Sequence, residues 1–241
     1  MELIAHRGLS ARAPENTLAA LRLALDEGAD ALEWDVQASA DGVPILLHDA
    51  TLDRTTSGLG PADALSLQEL RSLDAGSWFD VSYAAQPIPS LAEALALAHG
   101  RCGRIYPELK AGMHRRVIGP VVDEIREFDW AEGATVISLD WDALAEVRRL
   151  SDLRIGYVVA EPAGFDRALE LATEDGNAIL DPDRRILLED PERVARALRH
   201  TRGVITWTVN DPWEGRVLLD MGVDGLTTDD VAALRAGLEA Y

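Results

Sequence analysis

Eight short apolar runs rich in strand-forming residues alternate with amphipathic stretches of helical spacing, and this alternation constrains the chain more than any other feature. The runs are Leu3–Ala5, Ala31–Asp35, Arg104–Leu109, Thr135–Leu139, Arg154–Val159, Ala178–Leu180, Gly203–Val209 and Gly225–Thr227. Alternation of this kind predicts a parallel sheet wrapped by helices, and eight strands are enough to close it. The expected fold is therefore an α/β protein, a (β/α)8 TIM-type barrel, and the 241 residues match the roughly 250 that one such barrel needs. A single barrel domain over residues 1–241 follows. Between the first two strands, Leu18, Leu21 and Leu25 recur at helical spacing; Pro14 is expected in the first turn of that helix and Gly28 just past its end. Ala143–Leu150 and Asp190–His200 read as helices in the same way.

The alternation breaks once, between Asp35 and Arg104. Asp41-Gly42 inside Val36–His48 is a hairpin-turn signal. With those two residues as the tip, the ladder sets His48 opposite Asp35 and returns the chain to the barrel mouth. Residues 49–86, rich in Gly, Ser and Asp with one short helix near Leu67–Leu73, read as an insertion over that mouth. Long irregular segments in compact domains commonly serve function.

In a barrel of this type, polar residues at the C-terminal ends of strands converge on one site. His6-Arg7 follows the first run, Glu33 and Asp35 end the second, His48 returns on the hairpin, and Glu108 and Lys110 end the third. Glu33 and Asp35, two apart on a strand, point to the same face. Three carboxylates suit one hard divalent cation, Mg²⁺ or Ca²⁺, which prefers oxygen donors and would neutralise a phosphodiester. Two imidazoles titrating near neutrality suit general acid and base roles. Arg7 and Lys110, the chain's only lysine, supply cations for phosphate oxygens. His99, His114 and His200 lie on or beside helices, away from strand ends, and are not expected in catalysis. Asp229-Asp230 is expected to cap the final helix, Val231–Ala240.

Composition narrows the partners. A net charge of −19 repels nucleic-acid phosphates and disfavours an anionic membrane, and no basic amphipathic helix is evident, so no nucleic-acid partner and no stable membrane association are expected. Cys102 alone excludes an intramolecular disulfide and a thiolate-rich metal site. No run is long and apolar enough for a membrane helix. The first residues lack a basic segment followed by an apolar one, so the expected location is cytoplasmic. The near-absence of lysine is equally compatible with GC-rich coding and with adaptation to high salt.

The ordered motifs His6-Arg7-Gly8, Pro14-Glu15-Asn16-Thr17, Glu33-x-Asp35, His48-Asp49, Leu52-x-Arg54-Thr55-Thr56, Glu108-x-Lys110, Trp207-Thr208-Val209-Asn210 and Gly222-Val223-Asp224-Gly225-Leu226-Thr227-Thr228-Asp229 resemble those of the glycerophosphodiester phosphodiesterase family across essentially the whole chain. The resemblance implies metal-dependent hydrolysis of glycerophosphodiesters to sn-glycerol 3-phosphate and an alcohol. It implies Glu33, Asp35 and Glu108 as metal ligands, His6 and His48 as the acid–base pair, Arg7 and Lys110 as phosphate-binding cations, and Trp207 as an aromatic at the active-site mouth. Asn16 is implied near the site, and the insertion is implied to shape the glycerol and head-group pocket. One departure stands out: the family usually has Ser-Phe after the fourth strand, where this chain has Ser138-Leu139. A lysophospholipid substrate would need an apolar channel or membrane-facing surface, neither of which the sequence suggests. A barrel that only binds would be expected to have lost a ligand or base, and all are present.

Overall fold

The computed structural model describes residues 1–113 and 115–240; His114 lies outside them. In chain order the strands are β1 (Glu2–Ala5), β2 (Ala31–Ala38), β3 (Pro44–Leu46), β4 (Arg104–Leu109), β5 (Thr135–Ser138), β6 (Arg154–Val159), β7 (Ala178–Pro182), β8 (Ile205–Thr206) and β9 (Gly225–Thr228). The α-helices are α1 (Leu18–Asp26), α2 (Leu67–Leu70), α3 (Leu91–Ala98), α4 (Ile118–Glu127), α5 (Trp141–Leu150), α6 (Phe165–Asp175), α7 (Arg184–Glu189), α8 (Glu192–His200), α9 (Pro212–Asp220) and α10 (Val231–Glu239). Eight strands run parallel in the order β7-β6-β5-β4-β2-β1-β9-β8, and β3 pairs antiparallel with the upper half of β2. Bridges Leu180–Val204 and Asp183–Trp207 bring the two ends of the sheet together. This is the (β/α)8 barrel that the alternation requires.

Strand periodicity explains where the polar residues go. Ile4, Ala31, Tyr106, Ile137, Val158, Ile179 and Ile205 point inward and form an apolar plug. Each buried aliphatic of this size contributes roughly 1.5–3 kcal/mol. Two residues further along the strands, on the same inner face, stand His6, Glu33, Glu108, Leu139, Asp181 and Trp207. The polar residues are thus lifted above a dry floor. The opposite faces of the strands pack against the helices in the larger core.

The hairpin forms, but its register differs from the expected one. Ala38 pairs with Pro44, Gln37 with Ile45 and Val36 with Leu46, and Leu47 N–H donates to Asp35 O at 3.1 Å. Leu47, not His48, therefore stands opposite Asp35. The tip is one residue longer than a two-residue turn: Ser39 N–H donates to Val43 O at 3.0 Å, enclosing Ala40-Asp41-Gly42, with Gly42 at φ +82°. A left-handed residue closing a three-residue loop is a common hairpin solution. His48 lies just beyond the ladder, where the chain is free to turn its ring towards the mouth.

The first helix also starts later than expected. Thr17, not a residue near Pro14, is its N-cap, accepting from Ala20 N–H at 3.2 Å. Asn16 sits at φ +57°, a left-handed conformation that no helical first turn permits. The seventh run is shorter than expected, because its later backbone groups pair elsewhere: Trp207 O accepts from Arg184 N–H at 2.9 Å, and Val209 N–H donates to Thr227 O at 2.8 Å. The insertion shares a small core with the hairpin strand β3 and the chain leading to α3, including Ile45, Leu52, Leu70 and Ile88, and α2 and α3 each begin with a Ser/Glu capping box. Among the described residues no helix is long and apolar enough to cross a membrane.

Candidate active site

The parallel register of β2 and β4 sets Asp35 beside Glu108, and the two-residue period brings Glu33 to the same face. One carboxylate oxygen of each lies within 4.8 Å of the others. Burial, with the charges of Asp35 and Glu108, pushes Glu33 well above the usual carboxylate range. Burial and the charge of Asp35 push Glu108 up to about 7. Burial also opposes ionisation of Asp35, but Arg7, Lys110 and His48 outweigh it and hold this carboxyl below its ordinary value. Glu33 Oε1 is buried with no hydrogen-bond partner among the described residues. An unsatisfied buried carboxylate oxygen is costly, and an all-oxygen set of this size fits a hard divalent cation.

Cations from two other loops face this cluster. Lys110 Nζ is 3.1 Å from Glu108 Oε1 and 3.2 Å from Asp35 Oδ1. Arg7 donates its backbone N–H to Glu33 Oε2 at 2.8 Å, and its Nε lies 3.0 Å from Asp35 Oδ2. Arg7 reaches this position at φ +56°, a conformation that costs roughly 1–3 kcal/mol and persists only where the surroundings hold it. The next residue must be glycine. Gly8 is at φ +80°, and a Cβ there would lie 2.5 Å from Ala20 C. Asn16 is the brace opposite: its Nδ2 donates to Asp35 Oδ2 at 2.7 Å and its Oδ1 accepts from Asp35 N–H at 3.0 Å. The left-handed backbone that displaces the helix start is what aims this amide.

The two histidines are supported alike. His6 Nδ1 lies 2.7 Å from Asp229 Oδ1, and His48 Nδ1 lies 2.6 Å from Asp49 Oδ1. In each ring the carboxylate favours a proton on Nδ1 and leaves Nε2 unpaired by that contact. Asp229 also accepts from Ser10 Oγ at 3.0 Å and from Asn210 Nδ2 at 2.6 Å. Burial opposes its charge, yet the His6, Asn210 and Ser10 contacts bring it down to about 2. Burial lowers the pKa of His48, and Arg7 and Lys110 add to this against the pull of Asp35, so its neutral form is favoured. Behind His48 a polar chain crosses the insertion. Arg54 donates Nε to Asp49 Oδ2 at 2.6 Å and both terminal nitrogens to Glu15 at 2.8 Å. Glu15 in turn accepts from Arg7 Nη1 at 2.9 Å.

All the expected site residues therefore meet at the C-terminal mouth. His6, Arg7, Glu33, His48, Glu108, Lys110 and Trp207 line one cavity of about 200 Å³, and Asp35 lies buried against it. Trp207 serves two purposes: it packs on the inner plug and borders this cavity, with Nε1 donating to Asp181 O at 3.1 Å. Leu139 borders it too and is 41% exposed, leaving a smaller apolar wall than an aromatic would make. His99 and His200 stay away from it.

Sequence reasoning missed several members. Asp230 caps the last helix as expected, accepting from Ala233 N–H, but Asp229 faces His6 instead of sharing that task. Asp49, Arg54 and Glu15 stood inside recognisable motifs, which was the available signal for their supporting contacts. Asp181, buried in the cavity wall and pushed well above the usual carboxylate range by burial and by Glu108, gave no signal beyond its place at a strand end.

Residues 6–233 match the sequence profile described as the glycerophosphoryl diester phosphodiesterase family. A glycerophosphodiester phosphodiesterase of Caldanaerobacter subterraneus is 32% identical over 238 residues, covering 96% of this chain and 95% of the relative. An Oleispira antarctica phosphodiesterase, solved in complex with the product sn-glycerol-3-phosphate, superposes with a TM-score of 0.90 at 31% identity, covering 99% of this chain and 97% of that one. A glycerophosphodiester phosphodiesterase from Agrobacterium tumefaciens gives 0.84 at 27% identity, covering 98% and 99%.

Proposed function

The chain belongs to the glycerophosphoryl diester phosphodiesterase family and is a phosphoric diester hydrolase, and from that premise we propose that it works as one barrel domain hydrolysing small glycerophosphodiesters to sn-glycerol 3-phosphate and an alcohol, with Mg²⁺ or Ca²⁺ held by Glu33, Asp35 and Glu108. The observation that carries the reading is the meeting of these three oxygen donors within 4.8 Å beside two imidazoles, each backed by a carboxylate on Nδ1. The product complex of the Oleispira relative supports the substrate class.

When bound, the cation would neutralise phosphate charge and stabilise the charge that grows in the transition state. Arg7 and Lys110 grip the remaining phosphate oxygens and set the ester for in-line displacement. His48, kept neutral by burial and neighbouring cations, takes the proton of the attacking hydroxyl at Nε2. His6 delivers a proton to the leaving alkoxide, and Asp229 stabilises its charged ring. The nucleophile is either water, which gives sn-glycerol 3-phosphate directly, or the substrate's own glycerol hydroxyl, which forms a cyclic glycerol phosphate that water then opens with the histidine roles reversed; the internal hydroxyl is already close, which can contribute several kcal/mol. Trp207 and Leu139 form the apolar side of the pocket.

The test is a turnover panel of glycerophosphocholine, glycerophosphoethanolamine, glycerophosphoglycerol and a lysophospholipid, with Mg²⁺, Ca²⁺ or EDTA. The expected result is turnover of the soluble diesters with either cation and none in EDTA. Turnover confined to the lysophospholipid, or unchanged by EDTA, would overturn the reading.

A further inference from the structure

The opposite end of the barrel holds a second charged cavity, of about 510 Å³. Arg104 opens β4, Arg154 opens β6 and Arg202 stands just before β8, so three guanidiniums from three segments enter one space. In a chain of net charge −19 an arginine is surrounded by potential carboxylate partners. Arg148, for example, holds Asp175 through two hydrogen bonds. The cavity is different. Its carboxylates are already engaged: Glu2 accepts from the Tyr106 hydroxyl at 2.5 Å and faces Arg104 at 3.9 Å, and Asp224 accepts from Val204 N–H at 2.8 Å. Arg202 spends only Nε, on Gly176 O at 2.9 Å. Arg154 has neither a hydrogen bond nor an ion pair among the described residues, and its Nε is buried without an acceptor.

Arg154 therefore lines the cavity without a carboxylate partner among the described residues, and a guanidinium in that state can form charge-assisted hydrogen bonds with an incoming anion. Two guanidinium forks lining one cavity match the oxygens of a tetrahedral dianion. We propose that this cavity is a binding site for a small oxyanion of the phosphate class, a phosphomonoester of a few carbons, held by Arg154 and Arg202. The space is larger than inorganic phosphate needs and lies within the range of small-ligand sites. It is separated from the catalytic mouth by the apolar plug, so its occupancy does not depend on the chemistry there.

The experiment is calorimetric titration of sn-glycerol 3-phosphate into the wild type and an Arg154→Ala/Arg202→Ala variant, at constant ionic strength set with chloride. The double variant should lose one equivalent of binding, with diester turnover within about twofold of the wild type. Arg154→Lys keeps the charge but loses the fork, and should weaken the same step at least about tenfold. Equal stoichiometry and affinity in the wild type and the double variant would overturn the site. So would binding in the wild type that disappears only when Arg7 and Lys110 are replaced. Should the double variant fail to fold, as read by circular dichroism, Arg154→Lys decides alone: unchanged affinity for every equivalent refutes the proposal.

Discussion

Replacing Asp229 by asparagine probes the link on which His6 depends. The carboxylate serves three donors: Oδ1 faces His6 Nδ1 at 2.7 Å and Ser10 Oγ at 3.0 Å, while Oδ2 takes Asn210 Nδ2 at 2.6 Å. An amide has one oxygen. If it faces His6, its NH₂ meets the NH₂ of Asn210; if it faces Asn210, its NH₂ meets His6 Nδ1 and drives the ring proton to Nε2. Either way the charged acceptor that stabilises the imidazolium is gone. Losing a hydrogen bond to a charged partner costs about 1.5–3 kcal/mol, and 3 kcal/mol is roughly two orders of magnitude in rate. The expected result is a fall in kcat of about 10²-fold, with KM changing less than about threefold, because the metal and phosphate contacts are not touched. One orphaned donor also costs about 1–3 kcal/mol of stability, a fall in Tm of about 2–12 °C for a chain of this size. Steady-state turnover of glycerophosphocholine and a thermal melt read both quantities. A folded Asp229→Asn protein retaining kcat within threefold of the wild type would refute the assignment of Asp229 as the residue that positions His6.

Stability should respond to acid through the same group. Asp229 is held at about 2, below its ordinary 3.8, so its contribution is intact above about pH 4 and fades as the pH falls towards 2; the urea-midpoint gap between wild type and Asp229→Asn should narrow between pH 5 and pH 3, and a constant gap would contradict it. Cation binding should weaken as the pH falls from 8 to 6, because burial and mutual repulsion raise Glu33 and bring Glu108 to about 7, so binding must expel protons; calorimetry with Mg²⁺ in buffers of different ionisation heat measures that release, and pH-independent affinity would argue against this ligand set. A diester whose glycerol 2-hydroxyl is replaced by hydrogen should bind yet turn over several orders of magnitude more slowly if the internal hydroxyl attacks; turnover within a few-fold of the parent means that water attacks instead. Arg54→Ala should lower kcat only about two- to fivefold, since exposed pairs contribute roughly 0.2–1 kcal/mol; a loss as large as that of Asp229→Asn would mean that the Glu15–Arg54–Asp49 chain controls the site far more directly than its exposure suggests.

The contrast between Asp229 and Asp230 locates the boundary of sequence reasoning. Both are acids just after a strand and just before a helix, a pattern that predicts capping, and Asp230 does cap. Asp229 has a partner 223 residues away, just past a strand that becomes its neighbour only because β1 and β9 pair in the barrel. Asp181 is similar. Its strand was recognised, but its burial depends on which way β7 faces once β6 and β8 flank it.

What the sequence determined by itself rests on short-range periodicity. Apolar residues alternating along strands specify the inner plug, and the residues two places on must then stand on the same face above it. That is why Glu33, Asp35, Glu108, Lys110, His6 and Arg7 are legible in the sequence as residues of one mouth. What tertiary structure alone decided are matters of register and of partners. The hairpin shifted by one position, because three residues with Gly42 at φ +82° close the loop where a two-residue turn would also satisfy the local signal. Asn16 took a left-handed backbone against its helical context, because the hydrogen bonds to Asp35 compensate a local cost that no window of sequence contains. Local patterns encode which face a side chain occupies; which atom it meets there is settled only when distant strands close the barrel.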